Sequence, residues 1–388
     1  MSAHKPIKKP AIRRSRITKR QDNVIQTLRT EILDGTLRPS SQLPSHPELA
    51  SRFGVSTVTI RLAMNRLARE GFVQAHHRRG TFVVPKPPHV NNYALVFWNE
   101  PIPSDHAMPQ FAEIWSRYYV ALTNEAIRMH QEEGRRMLLF HGIDQHTDTD
   151  DHQRLLSYIR SHRLAGIIFA NFPYNLQGSP ILDAPGIPRV AFADPGVHPQ
   201  VNAIRFDSHG WMEKALDYLA QQGRRRVAIV TLGLNPQSDA QLSKAVAARG
   251  LECPPYWRQV VVRNSWHVVQ NCVHLLMRGA AGGRPDGLVV TDDNIVDNVQ
   301  KGLIAAGVRV PEDVAVIAHA NFPWPPPTVL PIKLIGYDIR AALRACVDLI
   351  DRERRGEKAP AHTVLRAVLE EELKVATVST QAKTEVSA

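Results

Sequence analysis

At 388 residues the chain exceeds one ordinary domain of roughly 100–200 residues, so two or three cores are expected. With 43% apolar and 22% charged residues, no apolar run near the roughly 18 needed to cross a bilayer and none behind the basic N-terminus, neither a membrane protein nor a secretory signal is expected, and a cytoplasmic protein is. The net charge of +11 sits at one end: residues 1–90 carry 17 Lys and Arg against 5 Asp and Glu, net +12, leaving −1 for residues 91–388, which points to a nucleic-acid partner for that end alone.

Eight cations fall in the first twenty residues (Lys5, Lys8, Lys9, Arg13, Arg14, Arg16, Lys19, Arg20) with no acid among them. Such a block repels itself, so residues 1–18 are expected to be a flexible basic arm reaching DNA phosphates. From residue 19 to 33, Val24, Ile25, Leu28, Ile32 and Leu33 recur at helical spacing and Gly35 stops the run. Ser45 can cap a second, short helix carrying Leu49, Ala50 and Phe53, ended by Gly54. Ser56 can cap a third over residues 57–69, with Ile60, Ala63, Met64 and Leu67 on one face and Thr59, Arg61, Asn65 and Arg66 off it. Two helices around a glycine turn predict a helix-turn-helix. Residues 71–73 and 81–84 then read as strands joined by a loop holding His76, His77, Arg78, Arg79 and Gly80, a wing beside a recognition helix. This winged helix-turn-helix spans 19–84.

Pro85, Pro87 and Pro88 mark a linker over 85–91. Beyond it apolar segments at 93–97, 138–140, 166–170, 189–193, 227–231, 287–291 and 314–318 alternate with amphipathic helices. That alternation predicts an α/β body with parallel sheets over residues 92–375, arranged as two lobes, followed by a flexible tail, 376–388. Chain crossings between the lobes are expected near 222–226, 328–334 and 355–363, and ligands in such folds bind at the carboxyl ends of strands.

Several signals carry less. Cys253, Cys272 and Cys346 lack C-x-x-C spacing and read as buried small residues. His146, Asp148, Asp150, Asp151 and His152 resemble a metal run but lack the spacing and glycine of a hard-metal loop, and Asp150 or Asp151 starts a helix instead; no metal is expected. The His76–His77 pair reads as a polar turn at the wing tip. No G-x-S-x-G elbow, phosphate loop or G-x-G-x-x-G fingerprint is present, so neither an enzyme nor a cofactor is expected. The rival architecture, a pyridoxal-phosphate body, needs a buried Schiff-base lysine, and its nearest candidate, Lys333, follows a Pro-rich run on an expected crossover.

The run Ile32-Leu33-Asp34-Gly35 … Leu43-Pro44-Ser45 … Glu48-Leu49-Ala50 … Phe53-Gly54-Val55-Ser56 … Thr59-Ile60-Arg61 … Arg79-Gly80-Thr81-Phe82-Val83 resembles the GntR-type DNA-binding domain. The resemblance implies that Ser45, Ser56, Thr57, Thr59, Arg61, Arg78, Arg79 and Gly80 face DNA. Many relatives carry arginine where this chain has Pro47 and Thr57, so base preference does not carry over. The stretches Phe206-Asp207 through Gly223–Val230, Pro285–Asp293 and Gly307–Ile317 resemble the effector domain of lactose-repressor-type, periplasmic-binding-protein-like regulators. There the aspartate aligned with Asp293 bonds sugar hydroxyls, whereas Ser238 stands where the family commonly carries an effector-binding arginine. The combination resembles the arabinose-repressor arrangement and implies a repressor: a homodimer on an inverted-repeat operator, controlled by a sugar or sugar derivative. A nucleoside, or no ligand at all, is the alternative for the body. The expected effector site comprises Trp98, Asn99, Asn171, Asp194, Asp293, Asn321 and Trp324, at or just after strand ends, where aromatic rings stack on sugars and amides or carboxylates bond hydroxyls.

Overall fold

The computed structural model describes residues 11–99, 116–144, 149–196, 198–261, 266–280, 282–358 and 363–373, with 11–18 and 266 described by backbone alone. Helix α1 (Ala11–Leu33) begins eight residues earlier than its apolar spacing suggests, so helix runs into the segment read as a flexible arm. Helices α2 (His46–Phe53) and α3 (Thr57–Arg69) follow. Gly54 between them lies at φ 60°, a left-handed turn that glycine adopts at no steric cost. Strands β1 (Val73–His76) and β2 (Gly80–Val83) form the wing, and His76 pairs with Gly80. The wing tip is therefore shorter than expected, and Gly71 and Phe72 precede the first strand. Val24, Leu28, Leu49, Ile60, Leu67, Phe72 and Val83 close one core under all these elements.

The Pro-rich segment is a docked joint. It holds a short helix α4 (Pro88–Asn91), Pro88 is buried, and His89 stacks on Phe72 with ring centroids 6.1 Å apart. Burial pushes the His89 imidazole down to about 4.

The body opens with β3 (Asn92–Val96), α5 (Arg117–Glu133), β4 (Arg136–Phe140), α6 (Asp150–Arg160), β5 (Gly166–Phe169), α7 (Pro180–Asp183), β6 (Arg189–Phe192) and β7 (Asn202–Phe206). It continues through α8 (Ser208–Gln221), β8 (Val227–Thr231), α9 (Pro236–Ala248), β9 (Arg258–Val260), α10 (Trp266–Met277), β10 (Gly287–Val290) and α11 (Val296–Ala305). The last elements are β11 (Ala315–Phe322), β12 (Lys333–Asp338), α12 (Ile339–Arg354), β13 (Thr363–Leu365) and β14 (Val368–Leu369). Two six-stranded sheets result: β4-β3-β5-β6-β7-β13, all parallel, and β9-β8-β10-β11-β12-β14, parallel except for β14. Strands buried on both faces, such as β3, β5, β6, β8 and β10, read as continuous apolar runs and were legible. Strands β7 and β9 were not, because partly exposed polar positions interrupt them, and β12 was not, because Gly336 divides its short buried run.

All three crossings fall elsewhere than expected. The chain leaves the first sheet at the end of β7, near 207, because α8 already packs on the second. It returns at 338–339, between β12 and α12, and crosses again at 366–367, between β13 and β14. The Gly223–Arg226 turn and the Pro-rich run lie within the second lobe. Lys333 starts β12, and its ammonium pairs with Glu371 at 2.5 Å. Gly336 on β12 lies so close to β11 that a Cβ would fall 1.6 Å from the Ala320 carbonyl oxygen. No helix among the described residues is long and apolar enough to cross a membrane.

Candidate functional site

On the head, α3 presents an open face. Ser56 caps it, its hydroxyl oxygen accepting from the Thr59 amide at 3.2 Å and lying 2.9 Å from the Thr59 hydroxyl. Ser45 makes the equivalent cap on α2, and its own amide donates to Glu48 at 2.7 Å. Both serines thus hold helix starts, whose free amides favour an anion. Thr57 and Arg61 are exposed, and so are Val58 (53%) and Leu62 (43%), two apolar side chains one turn apart that the sequence reading passed over. Their placement suits contact with thymine methyl groups. At the wing tip Arg78 (φ 59°), Arg79 and Gly80 are all exposed, and the Gln42 amide donates to the Arg79 carbonyl at 3.0 Å, fixing the wing to the head.

Beneath this face, the guanidinium of Arg29, 1% exposed, donates to Glu70 at 2.5 Å, and Arg66 donates to the same carboxylate at 3.0 Å. The pair locks α1 against the C-terminal end of α3 and so sets the pose of α3.

In the body, the carboxyl ends of both sheets face a cleft. One cavity of about 230 Å³ is lined by Asn171, Asp293 and Asn321 together with Tyr118, Phe192 and Asp292. A second, of about 330 Å³, opens between α8 and α9, and the two share Phe206, Thr291, His319 and Tyr337. Asp293 is 3% exposed and accepts from the Asn321 amide at 2.8 Å. Burial, then the neighbouring Asp292, pushes its carboxyl up to about 7, while the Asn321 bond pulls the other way. Asp292 also lines the cavity, its carboxylate accepting from the Asn294 amide at 2.8 Å. Strict alternation between these neighbours fails because β10 has already ended at Val290 and the chain is turning. Burial holds His319 neutral by pushing it down to about 4.

The other expected site residues scatter. Asn171 accepts from the Tyr119 hydroxyl at the cleft edge. Trp98 packs edge-on against Tyr174, 4.6 Å between centroids, and the Asn99 carbonyl accepts from the Gly142 amide; neither lines the two cavities. Asp194 is 78% exposed, 4.0 Å from Arg205, because the chain has left β6 for a surface turn. Trp324 belongs to the seam between lobes, where its indole N–H donates to the buried carboxylate of Glu125 on α5 at 3.0 Å. Phe206, Tyr337 and His319 are absent from the expected site, since β7 and β12 are not legible as strands in the sequence and β11 runs beyond the apolar segment that ends at 318. Of the acidic run, His146 and Asp148 lie outside the described residues, while Asp150 and Asp151 begin α6.

Residues 20–83 match the family described as bacterial regulatory proteins, gntR family, and residues 216–371 match the periplasmic binding protein-like domain. The HTH-type transcriptional repressor NagR of Bacillus subtilis is 42% identical over 60 residues, 16% of this chain, so the match spans only a quarter (25%) of that protein. The arabinose metabolism transcriptional repressor of Geobacillus stearothermophilus is 22% identical over 321 residues, covering 80% of this chain and 84% of that one. A LacI family transcriptional regulator from Lactobacillus casei, solved with bound glucose, superposes at a TM-score of 0.51 with 19% identity, over 72% of this chain and 98% of that one. The chain joins a gntR-family winged-helix head to a body with the periplasmic binding protein-like fold of LacI-type regulators.

Proposed function

We propose that the chain is a transcription repressor whose hold on operator DNA is set by a sugar or sugar derivative bound between the lobes of its body. The observation that carries this reading is a cleft with a desolvated carboxylate, Asp293, braced by Asn321 and faced by aromatic rings, in the same chain as an exposed cationic reading face. A fixed carboxylate accepts from neighbouring hydroxyls, and rings stack on pyranose faces. The relatives' names support both halves: two are repressors, one of arabinose metabolism, and the body's structural relative holds glucose.

Helix α12 links the two sites. It starts directly after Tyr337, in the cleft, and its far end places Glu353 and Arg354 around a cavity of about 660 Å³ shared with Leu33 of α1 and His89 of the joint. A shift of the lobes therefore reaches the head through one rigid element of roughly 24 Å.

In this reading the protein acts in the cytoplasm, without a catalytic role, as a homodimer on an inverted repeat, since one small head contacts too little DNA to select a single operator. Tyr256 (68% exposed), Val260 (54%), Val268 (49%) and Leu275 (66%), on and around β9 and α10 at the sheet edge, offer the apolar face. The test uses the full chain: selection of bound sequences from random DNA, then titration of that complex with monosaccharides, sugar acids, polyols and nucleosides. Enrichment of a palindrome and a change in its affinity with a carbohydrate are expected. Binding that shows no sequence preference, or that responds only to nucleosides, would sink the reading.

A further inference from the structure

The second cavity, between α8 and α9, is chemically unlike the first. Its walls include Trp211, Met212, Ile229, Leu242 and Ala245, with Ser208, His209 and Gln241 among the polar lining, and the polar atoms of Trp211, Thr231, Thr291 and Ser238 are paired within the protein. The Trp211 indole N–H donates to the Ile335 carbonyl at 3.1 Å. The Thr291 hydroxyl donates to that of Thr231 at 2.8 Å, and Thr231 donates on to the Gly233 carbonyl at 3.0 Å. Ser238, where the family resemblance leads one to expect a cation, is tied to Asn235 in the cap of α9, its amide donating to the Asn235 side chain at 2.8 Å. No Lys or Arg lines the compartment among the described residues. A hydroxylated ring packed against Trp211, Ile229, Leu242 and Ala245 would give up water hydrogen bonds that these walls do not replace, whereas an apolar ring would not.

This compartment adjoins the polar one, the two sharing Phe206, Thr291, His319 and Tyr337 in their walls. We infer that the effector is a glycoside bearing an uncharged aromatic aglycone, its sugar ring at Asp293 and Asn321 and its aromatic group between α8 and α9. This rests on the cleft being the effector site proposed above and names the ligand class that fits it. The aromatic partners suit a ring: Trp211 lies 5.8 Å from His319, which lies 5.7 Å from Tyr337. An aryl group buried in such walls adds roughly tenfold or more to affinity over a methyl group on the same sugar.

The experiment titrates the full chain calorimetrically with 4-nitrophenyl and methyl glycosides of glucose, galactose, xylose and arabinose, in both anomers, with 4-nitrophenol alone as a control. For at least one sugar the nitrophenyl glycoside should bind at least about tenfold tighter than its methyl partner. That ratio should fall towards one in Ala245→Leu, which fills the compartment, and in Ser238→Arg, which charges it. Aryl and methyl glycosides binding equally would overturn the aglycone while leaving the sugar cleft standing, as would a ratio that both variants preserve. Nitrophenol binding as well as its glycosides, or no glycoside binding at all, would overturn the inference and the sugar reading beneath it.

Discussion

In the proposed reading Asp293 has two opposed jobs, and pH separates them. Its folded carboxyl titrates near 7 against an ordinary 3.8, so the native state holds the proton more tightly than the unfolded chain does. Stability is therefore present at pH 4 and is lost as pH rises towards and through 7, to a loss on the order of 4 kcal/mol. Asp293→Asn, which does not titrate, should melt higher than the wild type at pH 8 and close to it at pH 4. The same variant should bind a sugar effector about 1.5–3 kcal/mol more weakly, because it loses a charge-assisted acceptor. A scan of melting temperature from pH 4 to 8 beside calorimetry checks both, and wild-type stability that is level across that range would show that the carboxylate is not desolvated. On the head, Arg61 is exposed on the open face of α3. Arg61→Ala should cost about 1–3 kcal/mol at the selected operator, with little change on random DNA, as measured by fluorescence anisotropy.

At the scale of elements, α3, the reading helix of the proposed function, is only as well placed as its supports. Arg29 and Glu70 are separated by 41 residues yet bonded at 2.5 Å, with side chains 1% and 12% exposed. Arg29→Ala removes one of the two guanidinium groups on Glu70 and leaves Arg66 on the other oxygen, so it should destabilise the head by about 1–3 kcal/mol. Thermal unfolding of the full chain should then show an early transition belonging to the head while the body melts as before; a single unchanged transition would mean that the pair contributes nothing. Little of this support was legible beforehand. Helical spacing marks which face of α1 is apolar, but an arginine on that face declares no partner until α3 is folded against it.

At the scale of the whole molecule, the proposed dimer makes a prediction of its own. Leu275, 66% exposed on α10 beside the edge strand β9, is the residue whose charge would most disturb an apolar dimer face. Leu275→Asp should halve the mass seen by light scattering at micromolar concentration and weaken operator binding, while the effector still binds each body. A wild-type chain that is already monomeric under these conditions would remove the dimer.

What the sequence determined by itself was local: the capped helices around Gly54, the wing, the charge confined to one end, and the fully buried strands whose apolar runs need no partner to be recognised. Asp293 and Asn321 were picked out as cleft residues, Asp293 from its place after β10 and its match to the lactose-repressor-type pattern, and both line one cavity of the cleft. Tertiary structure decided the rest. Whether α8 covers the first sheet or the second, and hence where the lobes join, depends on packing between distant segments. The cleft walls of Phe206, His319 and Tyr337 come from three strands that no single window of sequence unites. The same distance effect moved Trp324 to the seam, where the carboxylate of Glu125, 199 positions away, receives its N–H.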